Sequence, residues 1–208
     1  MLARRVRLLV AATIAYNVIE AAVALSAGAQ ASSTALIGFG LDSVIEVSAA
    51  AAVAWQFSTP DHEAREKAAL RVIAISFFAL AAYVTVESVR ALLGYAEARP
   101  STVGIGLAAV SLVVLPVLAG AQRRAGTELR SRSAVADSQQ TLLCGYLSGV
   151  LLVGLLLNSL LGWSWADPLA GLVIAAVAVR EGREAWQGEN CCAPTTVADD
   201  DGCCPEAR

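Results

Sequence analysis

Apolar residues run through this chain in blocks too long for an ordinary soluble core. Continuous apolar stretches occupy 8–27, 34–57, 70–93, 103–121, 135–161 and 168–186, separated by short polar connections. A helix that crosses a bilayer needs about 20 mostly apolar residues. None of the blocks shows the two-residue alternation of a barrel strand. A helix also satisfies its own backbone hydrogen bonds in lipid. The pattern therefore predicts an all-α membrane protein, a bundle of six transmembrane helices. The fifth block is long enough to tilt or to project beyond the lipid.

The polar connections carry a second pattern. Basic residues collect at Arg4, Arg5 and Arg7, at Arg65, Lys67 and Arg71, at Arg123, Arg124, Arg130 and Arg132, and at Arg180 and Arg183. The alternate connections are nearly bare, apart from Arg99 with Arg90 before it. Since basic loops stay in the cytoplasm, both termini are expected there, in agreement with an even number of spans. Trp163 and Trp165 fit an outer interfacial belt, and Trp55 and Trp186 an inner one. His62, the only histidine, is expected in a loop.

Composition narrows the class. Apolar residues make up 57% of the chain and charged residues 16%, against roughly 25% charged in a soluble domain. The basic residues are spread as topology signals, which argues against a nucleic-acid-binding patch. The start is basic, but the apolar run after it is too long for a cleavable signal. Residues 1–187 thus read as one transmembrane domain in the cell (inner) membrane of a bacterium, since arginine greatly outnumbers lysine. Residues 188–208 read as a flexible cytoplasmic tail, too short and polar to bury a core.

Ionisable residues inside a span are costly and commonly face a cavity or a partner. Those here are Glu20, Asp42, Glu46, Glu87 and Asp137. Glu87 has an immediate partner in Arg90, one turn away. Asp42 and Glu46 are one helical turn apart near mid-span, so both carboxylates lie on one face. Two such acids must take up a proton or be joined by a cation. Asp137, Gln140 and Cys144 share a face of the fifth helix in the same way. If the two faces meet, Asp42, Glu46, Gln140 and Cys144 offer two carboxylates, an amide oxygen and a thiolate. The sulfur pulls such a site toward zinc, cadmium and softer ions, and the oxygens pull the other way. A free cysteine is also commonly a small buried apolar residue, so Cys144 alone decides nothing.

The tail holds Cys191, Cys192, Cys203 and Cys204. Paired thiols on a flexible segment can capture a soft metal; palmitoylation or no role at all are the alternatives. Asn17 and Glu20 share a face of the first helix. The small residues Ala49 to Ala52, Gly104, Gly106 and Ala108 suit close helix packing, and Pro116 is expected to kink the fourth helix.

The run from Leu36 to Glu46 resembles the second helix of the cation diffusion facilitator, or cation efflux, family. The run from Ala136 to Cys144 is similar to that family's fifth helix, whose pattern is Ala-Asp, two residues, His, three residues, Asp. Gly162 to Gly171 and Arg180-Glu181-Gly182 look like the two ends of its sixth helix. The resemblance implies a zinc-type ion held between the second and fifth helices and exchanged for protons by alternating access. Asp42 and Glu46 fall on the second-helix ligands, Gln140 on the histidine and Cys144 on the aspartate, so both fifth-helix ligands are altered. The family's usual cytoplasmic metal-binding domain has no counterpart in the sequence, and the cysteine tail stands in its place. Family members are commonly homodimers, and dimerisation here would come from the membrane helices.

Taken together, the residues predict a secondary transporter that exports a divalent metal cation, zinc or a softer ion such as cadmium, in exchange for protons. The competing reading is a non-transporting membrane metal sensor or scaffold that acts through the cysteine tail. A membrane enzyme is disfavoured, because no nucleophile–base pair stands out. No bound cofactor is called for beyond the transported ion.

Overall fold

The computed structural model describes residues 2–56, 62–95, 97–128 and 132–187. Among the described residues all regular structure is helical, in six helices: α1 (Leu2–Ala31), α2 (Thr34–Gln56), α3 (His62–Leu92), α4 (Thr102–Glu128), α5 (Arg132–Leu161) and α6 (Ala166–Gln187). Each apolar block forms one helix. The helices extend beyond several of the blocks because their flanks are good helix formers. His62 illustrates this: it is the first residue of α3, not a loop residue, and the stretch that follows is rich in Glu, Ala, Arg and Lys. Cys191, Cys192, Cys203 and Cys204, the metal-capturing thiols expected in the tail, lie outside the described residues.

Among the described residues five helices are long and apolar enough to cross a membrane, over Leu8–Ala31, Thr34–Ala51, Leu70–Leu92, Thr102–Ala125 and Ser138–Leu161. The sixth differs from the expectation on composition. Helix α6 carries Asp167 near its start and Arg180, Glu181, Arg183 and Glu184 near its end. Its central turns are apolar and small.

The bundle is built from close pairs. Helix α4 lies along α5, α3 along α6 and α1 along α2, and α2 touches α3 and α6 as well. One apolar core gathers Leu36, Phe39, Leu115, Leu147, Leu151, Leu155 and Ile174. A second joins α3 and α6 through Ile73, Phe77, Leu80, Val84, Ala175 and Ala178. The outer faces are also apolar, with Val18, Ile19, Val72, Ile75, Val86, Val113, Val117 and Val153 exposed. A water-soluble bundle would place polar residues there, so this distribution is that of a lipid-facing surface. Trp163 and Trp165, stacked with ring centroids 5.1 Å apart, lie half-exposed at one end.

Small residues set how closely the helices approach. A Cβ on Gly28 would lie 3.0 Å from the Ile37 backbone nitrogen, so α1 and α2 meet there almost backbone to backbone. Gly104 similarly admits Leu36 and Leu155. Ala108 is fully buried. Gly106, expected to pack in the same way, instead faces open space, because it lies on the outer side of α4. Pro116 sits inside α4 without ending it and packs against Gly145 of α5.

The ends of α1, α3 and α5 and the starts of α2, α4 and α6 are tied together by polar contacts. Arg99 N donates to Ala31 O at 2.7 Å, and Asn158 Nδ2 donates to Ala98 O at 2.9 Å. Asp167 does most here. Its Oδ1 accepts from Ser33 Oγ at 2.5 Å, and its Oδ2 accepts from the backbone nitrogens of Thr34 at 2.9 Å and Ala35 at 3.4 Å. A helix start leaves its first amide groups without partners and carries a partial positive charge. Asp167 of α6 therefore caps α2 and holds the two helix starts level.

Candidate metal centre

Asp42 enters the bundle interior because Phe39 and Ser43, its neighbours on α2, are themselves buried there. Glu46 follows one turn later. From α5, Cys144 points to the same place, held among Leu147, Leu151 and the α4 residue Leu115. A ligand atom from each of Asp42, Glu46 and Cys144 lies within 4.8 Å of the other two. The Cys144 thiol also hydrogen-bonds Glu46. A single cation can thus touch two carboxylates and a sulfur without moving any helix. Of the two polar faces read from the sequence, Asp42 and Glu46 of α2 thus meet Cys144 of α5.

Gln140 does something not foreseen in the sequence. Its side chain hydrogen-bonds Glu181 of α6. The side chain of Asp137 lies outside the described residues. Glu87 pairs with Arg90 at 2.8 Å on a partly exposed face, as the spacing implied.

Helix α1 supplies groups that were not assigned to the site. Asn17 Nδ2 donates to Glu46 Oε2 at 2.7 Å. Glu20 is only 1% exposed. Its Oε2 accepts from Ser43 Oγ at 2.9 Å and lies 3.9 Å from Cys144 Sγ, and its Oε1 accepts from Ser111 Oγ. Ser111 in turn meets the Tyr16 hydroxyl at 2.8 Å. Glu20 is therefore held behind the thiol by three helices. Its polarity was visible in the sequence; what was missing was the distance from α1 to α5, which spacing within one helix cannot supply.

Three acids, Glu20, Asp42 and Glu46, thus converge with one thiol in a bundle interior. Such a charge set is unfavourable in isolation and suits a divalent cation. The sequence profile described as the cation efflux transmembrane domain matches residues 10–186. The chain belongs to the cation efflux family. No curated protein matches it. The cation efflux domain spans all six helices. It makes this a multi-pass membrane protein from a family of metal-cation transporters, not of enzymes.

Proposed function

We propose that the chain is a secondary transporter that exports a divalent metal cation, zinc or a softer ion such as cadmium, in exchange for protons. The observation that carries this reading is the meeting of Asp42, Glu46 and Cys144 within one ligand shell. Asp42 and Glu46 supply charge and Cys144 supplies the soft donor that favours zinc and cadmium over manganese or magnesium. Helix α6 completes the sixth span, with the exposed Arg180 and Arg183 at its cytoplasmic edge and both termini in the cytoplasm of a cell whose inner membrane holds the protein. Asp137 is placed at the cytoplasmic approach on α5. The four tail cysteines capture metal on that side, and the working unit is a homodimer joined through its membrane helices.

Reconstituted protein tests the reading. In proteoliposomes with an imposed proton gradient, Cys144→Asp is expected to keep zinc flux and to lower the cadmium-to-zinc flux ratio by roughly tenfold, because a hard oxygen replaces sulfur. An unchanged ratio would remove Cys144 from the ion's shell. Deleting 188–208 is expected to leave vesicle flux in place. Loss of all flux on that deletion, with Cys144→Asp indistinguishable from the parent, would favour the tail-based sensor.

A further inference from the structure

Glu181 has no role in the site described so far, yet it is buried as deeply as a ligand. It is 7% exposed, and among the described residues its Oε1 has no hydrogen-bond partner. The charged residues beside it do not explain it. Arg180 directs its guanidinium outward to Glu184 at 2.7 Å, leaving Glu181 without an ion pair among the described residues. What Glu181 faces is Gln140 of α5, which hydrogen-bonds it, and Asp42 of α2, close enough for the two negative charges to oppose each other.

A buried carboxylate oxygen without a donor, set against a second carboxylate, is unfavourable unless something positive visits it. Depth says what that visitor passes. Since Asp167 holds the starts of α2 and α6 level, a rise of about 1.5 Å per residue puts Asp42 roughly 12 Å along α2 and Glu181 roughly 21 Å along α6. Glu181 therefore lies closer than Asp42 to the end of the bundle where α2 and α6 finish. Gln140 comes before Cys144 on antiparallel α5, so it too lies on that side of the thiol.

Resting on the transporter reading, we infer that Glu181, Gln140 and Asp42 form a transit subsite for the divalent cation, between the C-terminal ends of α2 and α6 and the Asp42–Glu46–Cys144 shell. Glu181 Oε1 and the Gln140 amide oxygen hold the ion first. Asp42, common to both positions, hands it across to Cys144 and to Glu46, which lies roughly 18 Å along α2. The amide at position 140 serves this outer position, which needs a neutral oxygen donor and no proton acceptor.

Cadmium alone is the probe, and its thiolate charge-transfer absorption at Cys144 is the readout. The full chain, with Cys191, Cys192, Cys203 and Cys204 changed to serine, is mixed rapidly with cadmium in detergent. Glu181→Gln is expected to slow the appearance of the band about tenfold, since one focusing charge is lost, while the final amplitude stays. Glu184→Gln, on the outward pair, should match the parent. An unaltered rate in Glu181→Gln overturns the subsite. Should Glu181→Gln fail to fold, Gln140→Ala carries the test: a slowed band supports the subsite and an unaltered rate overturns it. A parent that gives no band, or one that Cys144→Ser leaves intact, instead removes the inner shell and this inference with it.

Discussion

Asp42→Asn is expected to lower proton-driven cation flux in proteoliposomes by about 100-fold or more. Loss even of groups that merely orient a metal ligand typically costs 10–100-fold, and Asp42 is placed in the shell itself. Asparagine keeps the shape and can still accept a hydrogen bond, so the buried site at 6% exposure need not collapse. What it loses is the charge. With Glu46 as the one remaining carboxylate of the Asp42–Glu46–Cys144 shell, a dehydrated divalent ion is less fully neutralised. The measurement is flux followed by a metal-sensitive dye inside the vesicles, with thermal unfolding as the check on folding. Flux within twofold of the parent, on a folded protein, would mean that the ion does not pass Asp42.

The second large effect lies at the start of α2, where Asp167 of α6 caps it. Asp167→Ala is expected to destabilise the protein by about 2–4 kcal/mol, read as a fall in unfolding midpoint in detergent. The change strips partners from Ser33 Oγ and from the Thr34 and Ala35 amides at once, all buried. Leaving a buried donor unsatisfied costs roughly 1–3 kcal/mol, and loss of a helix cap alone about 1. Asp167→Asn, which can still accept at one oxygen, should recover part of the loss. A midpoint unmoved in both variants would show that water or Ser33 alone can cap α2.

The helices were legible because lipid imposes one rule on long stretches: an unbroken apolar run must be a helix, and its length is fixed by bilayer thickness. Local pairs were legible for a similar reason, since helical spacing puts Asp42 with Glu46, Gln140 with Cys144 and Glu87 with Arg90. Helix boundaries were less so. The polar flank that begins at His62 continues α3, because propensity extends a helix where hydropathy has already fallen. Partnerships across helices were the least legible. Nothing in the spacing of α1 says that Glu20 reaches Cys144, or that Asn17 meets Glu46. The same holds for Gln140 and Glu181, which lie on different helices and meet only once α5 and α6 have packed. The family resemblance aligned Gln140 with a ligand position, yet the residue it engages sits on a helix end that looked merely charged.

The sealed position of Cys144 has a practical consequence. The residue is 1% exposed, walled by α1 and α4 as well as by its own helix. A thiol reagent too large to slip between packed helices can reach it only after the bundle parts. Reagents that cannot cross lipid, offered from one side and then the other, would tell which face had opened. With the four tail cysteines changed to serine, Cys144 thus serves as a chemical clock for the transport cycle, with no engineered label inside the bundle to disturb it.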